Sequence, residues 1–100
     1  MAEWFFVTNH GLILATIAKH LDMTTREIGD AVGITERATH KIISDLEAAG
    51  YITKLKVGRR NKYQIHPEVP LKTKVSGAAV RGLLIMLGWK PKKNQNQGKG

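Results

Sequence analysis

Side chains that can contact nucleic acid recur at helical spacing within residues 34–50. Four that donate hydrogen bonds fall at i, i+3, i+4 and i+7 on one face: Arg37, His40, Lys41 and Ser44. Four that can pack repeat this spacing on the opposite face: Thr39, Ile42, Ile43 and Leu46. We expect no carboxylate on the polar face. Because arginine and lysine donate to guanine edges and phosphates, the pattern favours a helix that reads the DNA major groove.

The elements around this stretch predict how it is held. Thr35 is placed as an N-cap and Gly50 as a left-handed C-cap, so the helix covers residues 35–49. Thr24 and Glu27 have capping-box spacing and begin a shorter helix over residues 25–32. Gly29 within it costs about 1 kcal/mol relative to alanine, which suggests that another helix passes close there. Two helices joined by a tight glycine turn make a helix-turn-helix.

After this pair of helices the hydrophobic period changes from helical to alternating. Residues 51–66 alternate as two strands, with a four-residue basic tip at residues 58–61. Two further helices are predicted, over residues 10–21 and 76–87. The last is apolar on more than one face, and the chain start is aromatic. These surfaces either cover each other within one chain or bury in a second subunit.

The composition limits which functions the chain can have. One hundred residues make a single domain, and the absence of cysteine excludes disulfides, thiolate zinc sites and cysteine catalysis. The net charge is +8, and the segment 37–66 holds seven cations against two acids. Such a concentration favours a polyanionic partner, although a surface charged for solubility remains an alternative. Residues 90–100 contain four lysines and no acid, and are expected to be a disordered basic tail after the domain at residues 1–89.

Several other functions are not indicated. The four histidines lack partners at ligand spacing, so no metal site or cofactor is predicted. No set of nucleophile, base and orienting group can be assembled, which argues against an enzyme. No apolar run approaches the roughly 20 residues of a membrane span, and no signal peptide is indicated.

Three stretches, residues 24–39, 45–52 and 57–63, resemble the winged helix-turn-helix transcriptional regulators of the MarR and ArsR type. The similarity spans about residues 8–88 and is closest to minimal, single-domain prokaryotic members. It implies an α+β, mainly α fold with a three-helix core, a two-stranded hairpin wing and a C-terminal helix. It also implies a homodimer on double-stranded DNA, with each recognition helix in the major groove and each wing on the backbone or minor groove.

The resemblance assigns roles by position. Residues expected to meet phosphates are Thr25, Arg26 and Thr35. Residues expected to face the groove are Glu36, Arg37, His40, Lys41 and Ser44. Residues expected at the wing tip are Arg59, Arg60, Asn61 and Lys62. Thr39 stands where an aliphatic residue is usual, and we expect it to be half-buried.

The chain departs from the family in lacking the extra helices that build the dimer and ligand pocket of longer members. Dimerisation is therefore inferred from the terminal apolar residues, and whether a small-molecule effector exists stays open. The residues assigned to this contact are Trp4, Phe5, Phe6, Val80, Leu83, Leu84 and Leu87.

The leading hypothesis is a sequence-specific, dimeric transcriptional regulator in the cytoplasm, associated with the nucleoid. One alternative is an architectural DNA-binding protein with little sequence preference, helped by the basic tail. A second is a winged-helix module that binds another protein within a larger assembly. RNA is a weaker option, because only Tyr51 and Tyr63 could offer a stacking surface.

Overall fold

A computed structural model describes residues 5–58 and 60–91. The predicted Trp4 and Arg59 contacts and most of the basic tail lie outside these residues. Four helices and one two-stranded antiparallel sheet follow in the order α1 Asn9–Lys19, α2 Thr25–Val32, α3 Glu36–Ala48, β1 Ile52–Val57, β2 Arg60–Ile65 and α4 Arg81–Met86. The predicted architecture, mainly helical with a hairpin after the third helix, is confirmed.

Helix α2 begins and ends at the residues that the sequence indicates. The Thr24 hydroxyl accepts the Glu27 N–H at 3.1 Å, and the Glu27 carboxylate accepts the Thr24 N–H at 2.8 Å, which completes the capping box. Gly33 ends the helix at φ 92°, a left-handed conformation in which other residues are strained. The chain then turns directly into α3.

The glycine inside α2 allows the close helix contact that its position suggests. A Cβ atom on Gly29 would lie 2.6 Å from the Thr39 hydroxyl oxygen and 3.0 Å from the Ile34 carbonyl oxygen. Thr39 is 0% exposed and donates its hydroxyl to the Thr35 carbonyl at 2.8 Å. The expectation that Thr39 is half-buried is therefore wrong. Its hydroxyl is satisfied within its own helix, so the side chain can be fully buried.

The core lies where the first three helices meet the base of the hairpin. Ile13 and Ile17 of α1 and Ile28 of α2 are fully buried, and Ile52 of β1 closes the cluster from the hairpin side. Burying each such side chain stabilises the fold by roughly 1.5–3 kcal/mol. This packing holds α3 with its opposite face toward solvent.

The connection between the two strands of the hairpin is shorter than the sequence predicted. Its strands pair in register from Ile52 with Ile65 to Val57 with Arg60, which leaves a two-residue connection. The predicted four-residue tip is wrong, because Arg60 and Asn61 belong to β2. Gly58 adopts φ 63°, as the first residue of a primed two-residue hairpin turn does. On the other edge of β2, the Tyr63 N–H donates to the Leu21 carbonyl at 3.1 Å and ties the hairpin to the helical core.

The outer helices are shorter than predicted. Helix α1 ends at Lys19, and α4 covers only Arg81–Met86 of the expected residues 76–87. An extended bridge pairs Pro70 with Ala79, and the Leu71 N–H donates to the Ala78 carbonyl at 2.7 Å. The Ala78 carbonyl is therefore used across the chain and cannot accept a hydrogen bond within the helix. Within the described ranges, no helix has the length and apolar character needed to cross a membrane.

Candidate nucleic-acid interface

Helix α3 presents the two faces that its sequence predicts. Arg37, His40, Lys41 and Ser44 are exposed, whereas the packing side is buried. The Thr35 hydroxyl accepts the Ala38 N–H at 3.0 Å and caps the helix. The exposed face is thus held on a helix that is capped at its start and packed along its opposite side.

Two carboxylates lie beside the polar face: Glu36, which the resemblance assigned to that face, and Asp45, which was not predicted there. Asp45 accepts a hydrogen bond from Lys41 at 2.9 Å, and Glu36 lies 3.9 Å from His40. Both pairs have i, i+4 spacing, the signal that could have revealed them. Within residues 5–58 and 60–91, Arg37 makes no ion pair or side-chain hydrogen bond. It is therefore the cation of this face with the most freedom to reach a ligand.

Asp45 is the residue of this region that the sequence reasoning missed. One carboxylate oxygen accepts from Lys41, and the other lies 2.8 Å from His10 Nε2 on α1. The Lys41 hydrogen bond, followed by that of His10, lowers the pKa of Asp45 below its usual range. His10 is 35 residues away in the sequence, so no local pattern predicts this second contact.

The wing, residues 51–66, carries cations on both of its faces. Lys54 and Lys56 lie opposite Tyr63 and Asn61, and both lysines are exposed. They were not among the predicted site residues, although their spacing of two places them on one face. Lys62 is exposed on the other face, opposite Leu55.

Arg60 is the first residue of β2 and borders the turn of the hairpin. Its guanidinium donates to the Asp22 carbonyl at 2.9 Å, so it fastens the wing to the connection between α1 and α2. A contact of Arg60 with DNA stays a prediction, and the guanidinium already has a backbone partner in the free protein.

The residues expected to meet phosphates at the helix-turn-helix differ in their surroundings. Arg26 is exposed and has no ion pair in the part of the chain that is described. Thr25 is buried, and the Thr35 hydroxyl serves as the α3 cap. Of the three, Arg26 alone offers an exposed cation.

Beneath the wing, the Tyr63 side chain is buried against the core. Its hydroxyl lies near Thr25 and Asn61 but makes no hydrogen bond of normal geometry with any described residue. Burial raises the pKa of Tyr63 above its usual value of 10.0. The group supports the wing and is not available to a ligand.

The terminal apolar residues divide into covered and exposed sets. Val80 is 2% exposed and Leu84 0%, so both lie in the core of their own chain and cannot supply the free surface for which they were predicted. Met86 is 74% exposed and Phe6 92%, and Ile85 and Phe5 are also exposed. Leu83 and Leu87 are half-buried. The exposed apolar surface of α4 is therefore formed by its last turn.

An open, mainly apolar groove of about 830 Å³ separates α1 from the segment that precedes α4. Phe6, Leu14 and Leu83 contribute to its walls, and His10 and Asp45 lie at its border. Among the residues that the structure describes, no group of three or more histidine or carboxylate side chains could hold a metal ion.

The sequence of this chain is similar to those of known proteins. Residues 8–53 match the sequence family described as winged helix-turn-helix DNA-binding. An uncharacterized protein of Methanocaldococcus jannaschii is 36% identical over 66 residues, covering 65% of this chain. The chain spans only 14% of the length of that relative.

Among solved structures, the chain is similar to MepR, a transcription regulator of the Staphylococcus aureus multidrug efflux pump MepA. The TM-score is 0.58 at 18% identity, over 80% of this chain and 56% of MepR. The fold is therefore a winged helix-turn-helix, as the sequence predicted.

Proposed function

We propose that this winged helix-turn-helix domain is a sequence-specific transcriptional regulator that binds double-stranded DNA as a homodimer. The observation that carries the proposal is the exposed polar face of α3. That face holds Arg37, which has no ion-pair partner among the described residues, on a helix fixed by its cap and its buried side. A guanidinium presented in this way can donate two hydrogen bonds to guanine O6 and N7.

In this proposal α3 enters the major groove, and each of its exposed side chains makes a different contact with DNA. Arg37 reads a base edge, and His40 and Ser44 donate or accept at neighbouring positions. Lys41 lies on the same face but is held by Asp45 in the free protein. Glu36 is paired with His40 and limits where that imidazole can point.

The wing and the start of α2 supply contacts that do not depend on sequence. Lys54, Lys56 and Lys62 are exposed along the wing and can neutralise phosphates. Arg26 can do the same beside the helix-turn-helix. Phosphate contacts of this kind fix the register of α3 on the duplex.

The dimer in this proposal uses the exposed apolar residues at the two ends of the chain. Met86 and Ile85 on α4 and Phe5 and Phe6 near the start are too large and too exposed for a surface in permanent contact with water. A second copy would cover them and place two recognition helices on two half-sites. The function requires no cofactor and no catalysis, and it places the protein with the chromosome in a prokaryotic cytoplasm.

The experiment compares two arginine variants on a preferred site and on altered sites, by fluorescence anisotropy at about 150 mM salt. Arg37→Ala should weaken binding to the preferred site by about 1–3 kcal/mol and relax specificity at one position. Arg26→Ala should weaken binding to all sequences alike. Lys74→Ala, which changes an exposed lysine that belongs to neither α3 nor the wing, is the control. If Arg37→Ala weakens all sequences equally, α3 does not read bases.

The net charge of +8 favours a second candidate, an architectural protein that binds duplex DNA with little sequence preference. Deleting residues 90–100 separates the two. A large loss of affinity for every sequence would support the architectural function, whereas a regulator would keep its preference for its site.

A further inference from the structure

The side chain of Asp45 lies between Lys41 on its own helix and His10 on α1. Lys41 Nζ is 2.9 Å from one carboxylate oxygen, and His10 Nε2 is 2.8 Å from the other. The contact with His10 fixes the orientation of the carboxylate, so that its remaining oxygen faces Lys41 one helical turn earlier on α3.

This arrangement changes what Lys41 can do on DNA. A phosphate that approaches the Lys41 ammonium must replace Asp45 as its partner or accept a negative charge close by. Either outcome makes the free energy of the lysine–phosphate contact less favourable, because in the free protein the lysine is already hydrogen-bonded to a carboxylate and not only to water. Arg37, one turn earlier on the same face, has no such competitor among the described residues.

We propose that Asp45 restrains Lys41 and so lowers the affinity of this domain for duplex DNA of any sequence. The inference rests on the proposed DNA-binding function and identifies a carboxylate, outside the DNA-contacting residues, that sets the strength of binding. In a chain with a net charge of +8, such a restraint limits occupancy of arbitrary DNA.

The matched control is Glu47, an exposed carboxylate two residues further along α3. The part of the chain that is described gives it no ion pair. Asp45→Asn and Glu47→Gln change the net charge equally and keep the shape of the side chain. A difference between them therefore reports the contact with Lys41 and not the overall charge.

The experiment measures the dissociation constant for a short labelled duplex of arbitrary sequence over a series of salt concentrations. It uses the full chain, Asp45→Asn, Glu47→Gln and Lys41→Gln, and the double variant Asp45→Asn with Lys41→Gln. Asp45→Asn should tighten binding roughly twofold to fivefold and steepen the slope of log K against log salt by about 0.9, the value for one added phosphate contact. In the Lys41→Gln background, the effect of Asp45→Asn should shrink to that of Glu47→Gln.

Two results would overturn the proposal while leaving the DNA-binding function intact. One is equal tightening by Asp45→Asn and Glu47→Gln. The other is an Asp45→Asn effect that is the same with and without Lys41. If the unmodified chain binds no duplex at any salt concentration, the DNA-binding function fails and the restraint fails with it. Circular dichroism melting of each variant shows that the measured proteins are folded.

Discussion

The helix-turn-helix and the C-terminal helix differ in how the chain holds them. Helices α2 and α3 begin at threonines whose hydroxyls accept backbone N–H groups, and they touch through Gly29 and the buried Thr39. Helix α4 begins at Val80 without a side-chain cap and ends with Met86 exposed. Helices α2 and α3 are thus fixed by contacts within one chain, whereas the last turn of α4 leaves apolar surface that a second copy could cover.

The largest expected effect comes from adding one methyl group to a glycine in each region. Gly29→Ala should destabilise the protein by about 2 kcal/mol, because the new Cβ would meet the Thr39 hydroxyl and the Ile34 backbone. Gly82→Ala has open space around it and should stabilise the protein by roughly 0.5–1 kcal/mol through helix propensity. Urea unfolding measures both. Similar effects of the two substitutions would show that the helix contact at Gly29 is not tight.

The next effect concerns the exposed turn of α4. If Met86 lies in the proposed dimer contact, Met86→Lys should weaken self-association by about 1.5–2 kcal/mol, more than tenfold, since it would place a charge in apolar area that the contact buries. Val75→Lys changes an apolar residue outside the helices that is more exposed than Met86, and it should leave association unchanged. Sedimentation equilibrium gives both constants. A dimer of unchanged affinity in Met86→Lys would place the subunit contact elsewhere.

A smaller effect tests the caps. Thr35→Ala should cost about 1 kcal/mol of stability, because the Ala38 N–H loses its partner. Thr8 stands at the same position before α1 but makes no side-chain cap hydrogen bond, so Thr8→Ala should cost little. Thermal unfolding of the two variants compares them directly. Equal losses would mean that the Thr35 hydroxyl is not stabilising α3.

The smallest effect at neutral pH belongs to the buried phenol where the wing meets α2. Tyr63→Phe should stabilise the protein by about 1 kcal/mol or less, because it removes a buried hydroxyl without a good partner. The pKa of Tyr63 is raised in the folded state, so the folded protein holds the phenol proton more tightly than the unfolded chain does. The stability linked to this proton is fully present below pH 10.0 and is lost as the pH rises through the folded pKa. Unfolding measured on both sides of pH 10 should show this alkaline loss in the unmodified chain and a smaller one in Tyr63→Phe. An identical alkaline loss in both proteins would assign it to other groups.

The sequence predicted the features of the fold that depend on neighbouring residues. The capping box of α2, the turn at Gly33 and the two faces of α3 follow from spacing over a few positions, and the structure confirms them. The hairpin was also predicted, but its tip was not, because the strand register depends on pairing across the turn.

Contacts between distant residues could not be predicted in this way. The bond from Arg60 to the Asp22 carbonyl spans 38 residues, and the contact of His10 with Asp45 spans 35. The bridge between Pro70 and Ala79 shortens α4 although the local pattern is helical. The bridge overrides the local helical propensity. The two side-chain contacts determine the partners of Arg60 and Asp45 in the candidate site.

Selection of binding sites from a random duplex library at about 150 mM salt would show whether the exposed face of α3 reads DNA sequence. If it does, the library should yield an enriched site with two inverted half-sites about one helical turn apart, and Arg37→Ala should lose preference at one position in each half-site. A library without enrichment, with binding that disappears as salt rises, would mean that α3 does not read bases.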